Sequence, residues 1–382
     1  MAAKKKEETA VKDSSKKEAL MDLLSTLQED AKKTYGISNV GFLGKMKDKQ
    51  VTFLPTGSLV LDTLLGGGVA KGRIIEFFGP ESSGKTSMAV LALGKEQQRG
   101  GSVAFLDIEH AASPSFMEVL GVNIDELLFL QPSSAKDTFQ SLLKIVRSGT
   151  ISMVVVDSVS AMTEGVADED LVKDSVGKLA RNMSKNMPVL AEACSNNDCT
   201  VIFINQTREK IGVMFGDPTT TSGGNALKFY ATQRVKVNKK SPIKDSEGSI
   251  IGTEVGLKIE KNKAAMPGGI GSTLLSYSSG IDTVGEVYLL GVQFGVIGKN
   301  GNTFYAKVNL TKEQQAKVKN CQYDESTHQL KLAVGEGRTR TKLAEDSEVF
   351  NVVSQEVMRI LEEKQEEFKA KDKSVVQLKE DK

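Results

Sequence analysis

A glycine-rich loop between a strand pattern and a helix pattern constrains the fold of this chain more than any other feature. The loop has the sequence GPESSGKT at residues 79–86 and directly follows the apolar run Ile74–Phe78. A G-x-x-x-x-G-K-[ST] loop that leaves a strand and opens a helix binds phosphate. The sequence therefore predicts strand–loop–helix architecture and the binding of a nucleoside triphosphate.

The loop supplies the groups that a polyphosphate needs. Its glycines allow several backbone N–H groups to converge on the phosphates, and the positive end of the following helix adds to the attraction. We expect Lys85 to contact the outer phosphates and the Thr86 hydroxyl to bind Mg²⁺. The candidate nucleotide-binding residues here are Gly79, Pro80, Glu81, Ser82, Ser83, Gly84, Lys85, Thr86 and Ser87.

Apolar runs separated by helical segments predict an α/β fold with a central, mostly parallel sheet. Parallel strands buried on both faces read as continuous apolar runs. The runs are Ile74–Phe78, Val103–Ile108, Met153–Val156 and Thr200–Ile204. Alternating segments at Gln233–Asn238 and Val255–Glu260 predict further, antiparallel strands. The nucleotide is expected at the carboxyl ends of the parallel strands.

The length of 382 residues predicts two or three domains. We predict an N-terminal helix and connector over residues 1–50, a nucleotide-binding core over 51–283, and a small α/β C-terminal domain and tail over 284–382. Residues 1–19 are polar and expected to fray. Residues Lys17–Lys33 predict an amphipathic helix whose apolar stripe starts with Leu20, and this stripe requires a partner. That partner is either the chain's own core or a neighbouring subunit.

Composition excludes several classes of protein. No apolar run approaches the roughly 20 residues that cross a bilayer, and the start lacks the apolar segment of a secretory signal. Three cysteines and two histidines do not form a metal-ligand pattern, so we expect reduced cysteines in a cytoplasmic protein. The net charge of +1 neither favours nor excludes nucleic acid, which must be contacted through a local patch.

Carboxylates at the ends of two predicted strands are candidates for hydrolytic chemistry. Hydrolysis of a triphosphate needs a group that orients or deprotonates water and an acidic partner for Mg²⁺. Glu109 is the candidate general base, and Asp157 is the candidate Mg²⁺ partner, directly or through water. We expect Asp107 to be structural. For any single acid, a helix cap or a surface charge is the alternative.

An amide at the end of the next strand is the candidate sensor of the terminal phosphate. Gln206 follows the run Thr200–Ile204 and opens the stretch Thr207–Gly224. A hydrogen bond from Gln206 to the γ-phosphate would order or release that stretch. The alternative is a buried amide whose hydrogen bonds are satisfied.

A basic stretch after Gln206 is the candidate nucleic-acid contact. Residues 207–240 contain seven basic side chains and two acidic ones. Small polar residues and glycines at 219–225 suit a phosphodiester backbone, and apolar residues at 211–215 suit insertion between bases. The alternative is a mobile surface loop. The acidic segment Glu164–Ser175 is a weaker second candidate.

These motifs resemble those of the bacterial RecA recombinase family, including its phage-borne members. The matching strings are residues 79–86, 157–159, 202–206, 210–216 and 221–231, and the last two are specific to that family. The resemblance extends from about Lys17 to about Leu361. It implies a RecA-like core and a DNA-dependent ATPase that polymerises on single-stranded DNA and exchanges strands with a homologous duplex.

The resemblance also implies roles for individual residues. Lys261 and Lys263 match a Lys-x-Lys pair that reaches ATP on the adjacent subunit, and Phe229 would transmit the nucleotide state across that interface. The N-terminal helix would dock on the neighbouring subunit. The residues implied to contact DNA are Arg181, Arg208, Lys210, Ile211, Gly212, Val213, Met214, Thr221, Gly223, Gly224 and Asn225.

The implied cofactors are ATP and Mg²⁺, and the implied partners are DNA and further copies of this chain, without a membrane. Around the adenine, Phe116 can stack on the base, but Ser113 stands where family members usually carry a carboxylate. A ring-forming motor and a non-catalytic DNA-coating protein are the alternative functions. The Lys261–Lys263 pair favours a filament over a ring, and Glu109 favours catalysis.

Overall fold

The structure is a computed structural model that describes residues 2–35, 40–42, 51–162, 169–209, 219–244, 247–318 and 321–380. It divides into two compact units, residues 1–51 and residues 52–382. The boundaries at residues 50 and 283 remain predictions. Within the described ranges, every helix is too short or too polar to cross a membrane.

The described residues of the first unit include the helix α1 (Ala2–Tyr35). Leu20, Leu23 and Leu27 are exposed on it. Gln28 donates a hydrogen bond from Nε2 to the backbone oxygen of Val40 at 2.9 Å. The expected fraying of residues 1–19 differs from the structure, in which these residues belong to α1 from Ala2 onward. The alanine, lysine and glutamate residues of this segment are strong helix formers.

The second unit contains the remaining elements. Its helices are α2 (Leu59–Leu65), α3 (Lys85–Gln98), α4 (Pro114–Val119), α5 (Ala135–Arg147), α6 (Glu169–Asn196), α7 (Ala226–Tyr230), α8 (Thr283–Gln293), α9 (Lys312–Lys317), α10 (Glu336–Glu345) and α11 (Ser347–Glu380). Its strands are β1 (Phe53–Leu54), β2 (Val69–Ala70), β3 (Ile74–Gly79), β4 (Val103–Asp107), β5 (Leu128–Leu130), β6 (Met153–Asp157), β7 (Thr200–Glu209), β8 (Thr219–Thr221), β9 (Gln233–Lys244), β10 (Ile250–Asn262), β11 (Ile270–Ser276), β12 (Gly280–Ile281), β13 (Ile297–Asn300), β14 (Thr303–Lys307), β15 (Tyr323–Asp324) and β16 (Gln329–Val334).

A large mixed sheet carries the predicted apolar runs, with the strand order β12–β11–β10–β9–β3–β7–β6–β4–β5. The strands from β9 to β5 are parallel to one another. The pairs β9–β10, β10–β11 and β11–β12 are antiparallel. The α/β fold class is confirmed, and the segment Val255–Glu260 lies in an antiparallel strand as predicted. The prediction for Gln233–Asn238 was wrong in direction, because β9 pairs parallel with β3 and the antiparallel extension begins only at β10.

The register of the sheet brings the polar strand ends together. Gly79 lies beside Gln206, and Asp107 lies beside Asp157. One face of the sheet is covered by α5 and α6, whose Phe139 and Met183 are buried in the core. Because parallel strands end at the same edge, the glycine-rich loop and the polar residues after β4, β6 and β7 line one edge of the sheet.

A second, antiparallel sheet with the order β13–β14–β16–β15 lies in the C-terminal part of the chain. Helix α8 packs against β13, and α10 packs against β16. Residues 307–332 contain α9, β15 and the start of β16. Leu330 and Leu332 on β16 are buried, so this strand contributes to the packing of the second unit.

Two predicted DNA loops differ from the structure. Helix α6 begins at Glu169, so residues 169–175 of the predicted loop Glu164–Ser175 are helical. Strand β7 continues to Glu209 and pairs antiparallel with β8, where Thr207 lies opposite Thr221. This pairing satisfies backbone hydrogen bonds on both sides of the segment that connects β7 to β8. Residues 163–168 and 210–218 lie outside the described ranges.

Two acidic side chains lie where α2 meets α8. The Ser58 hydroxyl donates to Glu286 Oε1 at 2.5 Å, and the Leu59 backbone N–H donates to Glu286 Oε2 at 2.7 Å. Asp62 Oδ1 accepts from the Thr56 backbone N–H at 2.8 Å and from its hydroxyl at 2.7 Å. Burial is the main cause that raises the pKa of Asp62 to about 7.

Asp62→Asn is expected to remove part of the pH dependence of stability. A carboxyl group with a raised folded pKa contributes stability that is fully present below its unfolded value of 3.8 and is lost as pH rises through about 7. Asparagine stays neutral and can still accept from Thr56. Urea unfolding should therefore show the stability advantage of the variant growing by about 2 kcal/mol between pH 5 and pH 8. Asp125→Asn, at an exposed site, is the control, and a pH-independent difference would contradict the prediction.

Candidate active site

The glycine-rich loop is shaped by its contacts with strands β9 and β10. A Cβ atom on Gly79 would lie 1.9 Å from the backbone oxygen of Val237, which excludes any side chain at this position. Gly84 adopts φ +94°, in the region that favours glycine, and its α-carbon faces Val255. Backbone approach and backbone conformation therefore explain why both ends of the loop are glycine.

The first residues of α3 present polar groups to the loop. Lys85 is buried and donates from Nζ to the backbone oxygen of Pro80 at 2.6 Å. Burial lowers the pKa of Lys85, and the nearby Asp157 and Glu109 oppose that shift. Ser83 Oγ is buried without a hydrogen-bond partner in the described part of the chain. A phosphate oxygen would satisfy these donors.

Thr86 and Asp157 form the second part of the site. The Thr86 hydroxyl donates to Asp157 Oδ2 at 2.7 Å, and Asp157 Oδ1 is buried without a partner among the described residues. Burial raises the pKa of Asp157 to about 6. A hydroxyl and a carboxylate are oxygen donors of the type that Mg²⁺ prefers, and Mg²⁺ would supply the charge that the buried carboxylate lacks. The donor set therefore fits Mg²⁺.

Glu109 lies beside this pair, immediately after β4. The Ile108 and Glu109 backbone N–H groups donate to the backbone oxygen of Asp157 at 2.7 Å and 3.2 Å. Glu109 Oε1 accepts hydrogen bonds from the Ser158 hydroxyl and from Gln206 Nε2, the latter at 3.1 Å. The sequence-predicted base and phosphate sensor are thus brought into direct contact.

Asp107 has the structural role expected of it. Its carboxylate accepts from the backbone N–H groups of Ala111 and Ala112 and from Gln131 Nε2, each at 3.2 Å. These bonds fix the segment that leads to Phe116, which is half-buried on α4. Ser113 is exposed at the start of the same helix.

The candidate DNA residues lie partly beyond this edge. Arg208 is exposed on β7 and Arg181 is exposed on α6, whereas Thr221 is buried on β8. Gly223, Gly224 and Asn225 lead directly into α7. The candidates Lys210, Ile211, Gly212, Val213 and Met214 lie outside the described residues.

A lysine pair binds the end of α7. Lys261 Nζ donates to the backbone oxygens of Lys228 at 2.6 Å and Phe229 at 3.0 Å, and Lys263 Nζ approaches the Phe229 oxygen at 3.5 Å. Burial, together with Lys263 and Arg234, lowers the pKa of Lys261 to about 8. The Phe229 side chain is 71% exposed. The lysine pair therefore contacts the backbone at the end of α7 and lies beside an exposed aromatic ring.

A buried ionic network, missed by the sequence analysis, links β3, β7 and β9. Glu76 is fully buried and accepts from Arg234 Nε and from Asn205 Nδ2. Asn205 also donates to the Ser222 backbone oxygen at 3.0 Å, at the end of the candidate DNA loop. Arg234 stacks over the Phe78 ring at 4.3 Å. An acidic residue inside an otherwise apolar strand pattern was the available sequence signal.

Comparison with known proteins agrees with the geometry. The family model described as the RecA N-terminal domain matches residues 22–282. Protein RecA of Azospirillum lipoferum is 44% identical over 295 residues, which cover 77% of this chain and 81% of that protein. Protein RecA of Rickettsia prowazekii is 43% identical and covers 73% and 82%, and that of Bacillus pumilus is 44% identical and covers 70% and 78%. The chain therefore belongs to the RecA family.

Proposed function

We propose that ATP bound at residues 79–87 controls how tightly a filament of this chain holds DNA. As a member of the RecA family, the chain is a DNA-dependent ATPase that acts in homologous recombination and DNA repair. Single-stranded DNA is the proposed substrate for polymerisation, and a homologous duplex is the proposed partner in strand exchange. The cytoplasm is the proposed location, in accordance with family membership.

The proposed nucleotide site uses the loop for phosphate and the end of β6 for the metal. Lys85 and the backbone N–H groups of the loop would bind the phosphates. Thr86 and Asp157 would hold Mg²⁺, which neutralises charge on the β- and γ-phosphates when bound. Ser83 Oγ and Asp157 Oδ1 support this assignment, because both atoms are buried without a hydrogen-bond partner among the residues that the structure describes, and a ligand or metal would supply one.

The hydrogen bond between Gln206 and Glu109 carries the mechanistic proposal. Glu109 would accept a proton from the attacking water, and Gln206 would bind the γ-phosphate. Gln206 lies beside Gly79 in the sheet. The next residue of β7, Thr207, already pairs with Thr221 of β8. A phosphate contact that draws Gln206 from Glu109 would therefore act on the base and on the DNA loop at the same time.

Lys261 and Lys263 are proposed to reach ATP bound to the adjacent subunit. Their ammonium groups bind the last carbonyls of α7, close to the exposed Phe229. Cations at a subunit surface can stabilise the charge that develops during phosphoryl transfer. The exposed phenyl ring beside them suits a contact with another copy of the chain. Hydrolysis would then require a filament.

Release of phosphate, measured with and without single-stranded DNA, tests the proposed function. We expect turnover that depends on the DNA, together with continuous helical filaments in electron micrographs taken with a non-hydrolysable ATP analogue. Closed rings that unwind duplex DNA would favour the ring-forming motor instead. Turnover that DNA does not change would contradict the recombinase mechanism, and binding without any turnover would favour a DNA-coating protein.

Lys263→Ala is expected to lower DNA-stimulated turnover about 100-fold, because it removes a cation from the proposed transition-state site. Binding of ATP to the isolated chain should stay within about twofold, since Lys263 contacts α7 rather than the chain's own loop. Lys144→Ala, at an exposed position on α5, is the control. Normal DNA-stimulated turnover of Lys263→Ala would contradict the role across the interface.

A further inference from the structure

The Glu109 carboxylate accepts a hydrogen bond from a hydroxyl to which the mechanism proposed above gives no role. Ser158 is fully buried, and its Oγ donates to Glu109 Oε1. The Ser158 Oγ also lies 2.6 Å from the Ser160 Oγ, within hydrogen-bond distance. Ser158 directly follows Asp157, the proposed Mg²⁺ partner. One dipeptide at the end of β6 therefore contacts both halves of the site.

We propose that Ser158 is a positioning residue for the general base. It fixes the Glu109 carboxylate so that Oε2 faces the position of the attacking water. The inference rests on the proposed function, because it assumes that Glu109 accepts the proton of that water.

The local geometry explains why such a residue is needed. The Glu109 side chain is exposed, and exposed glutamates rotate freely about three torsions. The backbone N–H of Glu109 donates to the backbone oxygen of Asp157, but this hydrogen bond does not restrain the Glu109 carboxylate. The Ser158 hydroxyl comes from a fully buried residue and supplies that restraint. A loss of position of about 1 Å can cost roughly 100-fold in rate.

Gln206 cannot supply the same restraint throughout the reaction. It donates to the same Oε1 atom, at 3.1 Å, but the proposed mechanism moves its amide to the γ-phosphate. Ser158 then remains as the described donor to Glu109. Ser160 supports it in turn, because a hydrogen bond between the hydroxyls orients the Ser158 proton toward Glu109.

The test compares Ser158→Ala and Ser158→Cys with the wild-type protein in a DNA-stimulated ATPase assay. Alanine removes the hydroxyl, whereas cysteine keeps a side chain of similar size but donates only weakly. If the hydrogen bond matters, kcat should fall at least tenfold in both variants while KM for ATP stays within about twofold. Filament formation with a non-hydrolysable analogue should be unchanged. Ser160→Ala should lower kcat by only about threefold.

Two kinds of result would overturn the assignment. The first is that either variant of Ser158 retains kcat within about twofold; if only the cysteine variant does so, the loss in the alanine variant reflects packing. A parallel rise in KM or a loss of filaments would indicate a structural role. Glu109→Gln measured alongside separates the two levels. If it loses turnover while the Ser158 variants do not, only the positioning role is wrong; if it retains turnover, the proposed base is wrong.

Discussion

Glu109→Gln is expected to lower DNA-stimulated ATP hydrolysis by about 10²–10⁴-fold, the usual contribution of a general base. Glutamine has nearly the same shape and can still accept hydrogen bonds from Ser158 and Gln206 through its carbonyl oxygen. It cannot accept a proton from water at neutral pH. Binding of ATP and of single-stranded DNA should therefore stay within about twofold of the wild-type values.

The measurement is phosphate release at saturating ATP and DNA, with nucleotide and DNA binding measured separately. Glu126→Gln is the matched control, because Glu126 is an exposed glutamate away from the edge of the sheet that carries the site. A Glu109→Gln variant with normal turnover would remove Glu109 as the base. A variant that loses ATP binding would place Glu109 in the binding of nucleotide instead.

Glu76→Ala is expected to have the largest effect on stability. The change leaves Arg234 without its buried partner and removes one acceptor of Asn205. Breaking a buried, hydrogen-bonded ion pair costs about 3–5 kcal/mol, because the remaining charge stays out of water without compensation. Chemical unfolding should show the loss as a lower midpoint with a similar slope. The Ser222 end of the candidate DNA loop should also lose order, since Asn205 donates a hydrogen bond to the Ser222 backbone oxygen.

A surface ion pair on the same sheet provides the control for Glu76. Glu254 accepts from Lys240 at 3.2 Å, and both side chains are partly exposed. Exposed pairs contribute about 0–1 kcal/mol, so Glu254→Ala should barely change the unfolding midpoint. Equal effects of the two substitutions would mean that the Glu76 network does not differ energetically from an ordinary surface pair.

The sequence predicted those parts of the molecule that depend on local pattern. The run Ile74–Phe78, followed by two glycines five residues apart and Lys85, specified a strand, a phosphate loop and a helix without any knowledge of the remaining chain. The end positions of the strands then indicated that Glu109, Asp157 and Gln206 would lie along one edge. This was possible because parallel strands begin and end together.

Contacts between distant segments were not predictable in the same way. The contact of Ser158 with Glu109 depends on β4 and β6 lying side by side. The network around Glu76 depends on β7 and β9 flanking β3. The helical start at Glu169 was missed because an acidic segment without apolar periodicity resembles a loop. The binding of Lys261 to the end of α7 depends on a side chain meeting a backbone oxygen 32 residues away, which no sequence pattern records.

The close approach of Val237 to Gly79 has a consequence for protein engineering. The first residue of the phosphate loop is held by the backbone of a strand that the loop motif does not include. A designer who transplants residues 79–86 into another sheet would obtain the right letters without the neighbour that shapes them. The transferable unit is therefore the loop together with β9, and its minimal donor fragment is discontinuous in the chain.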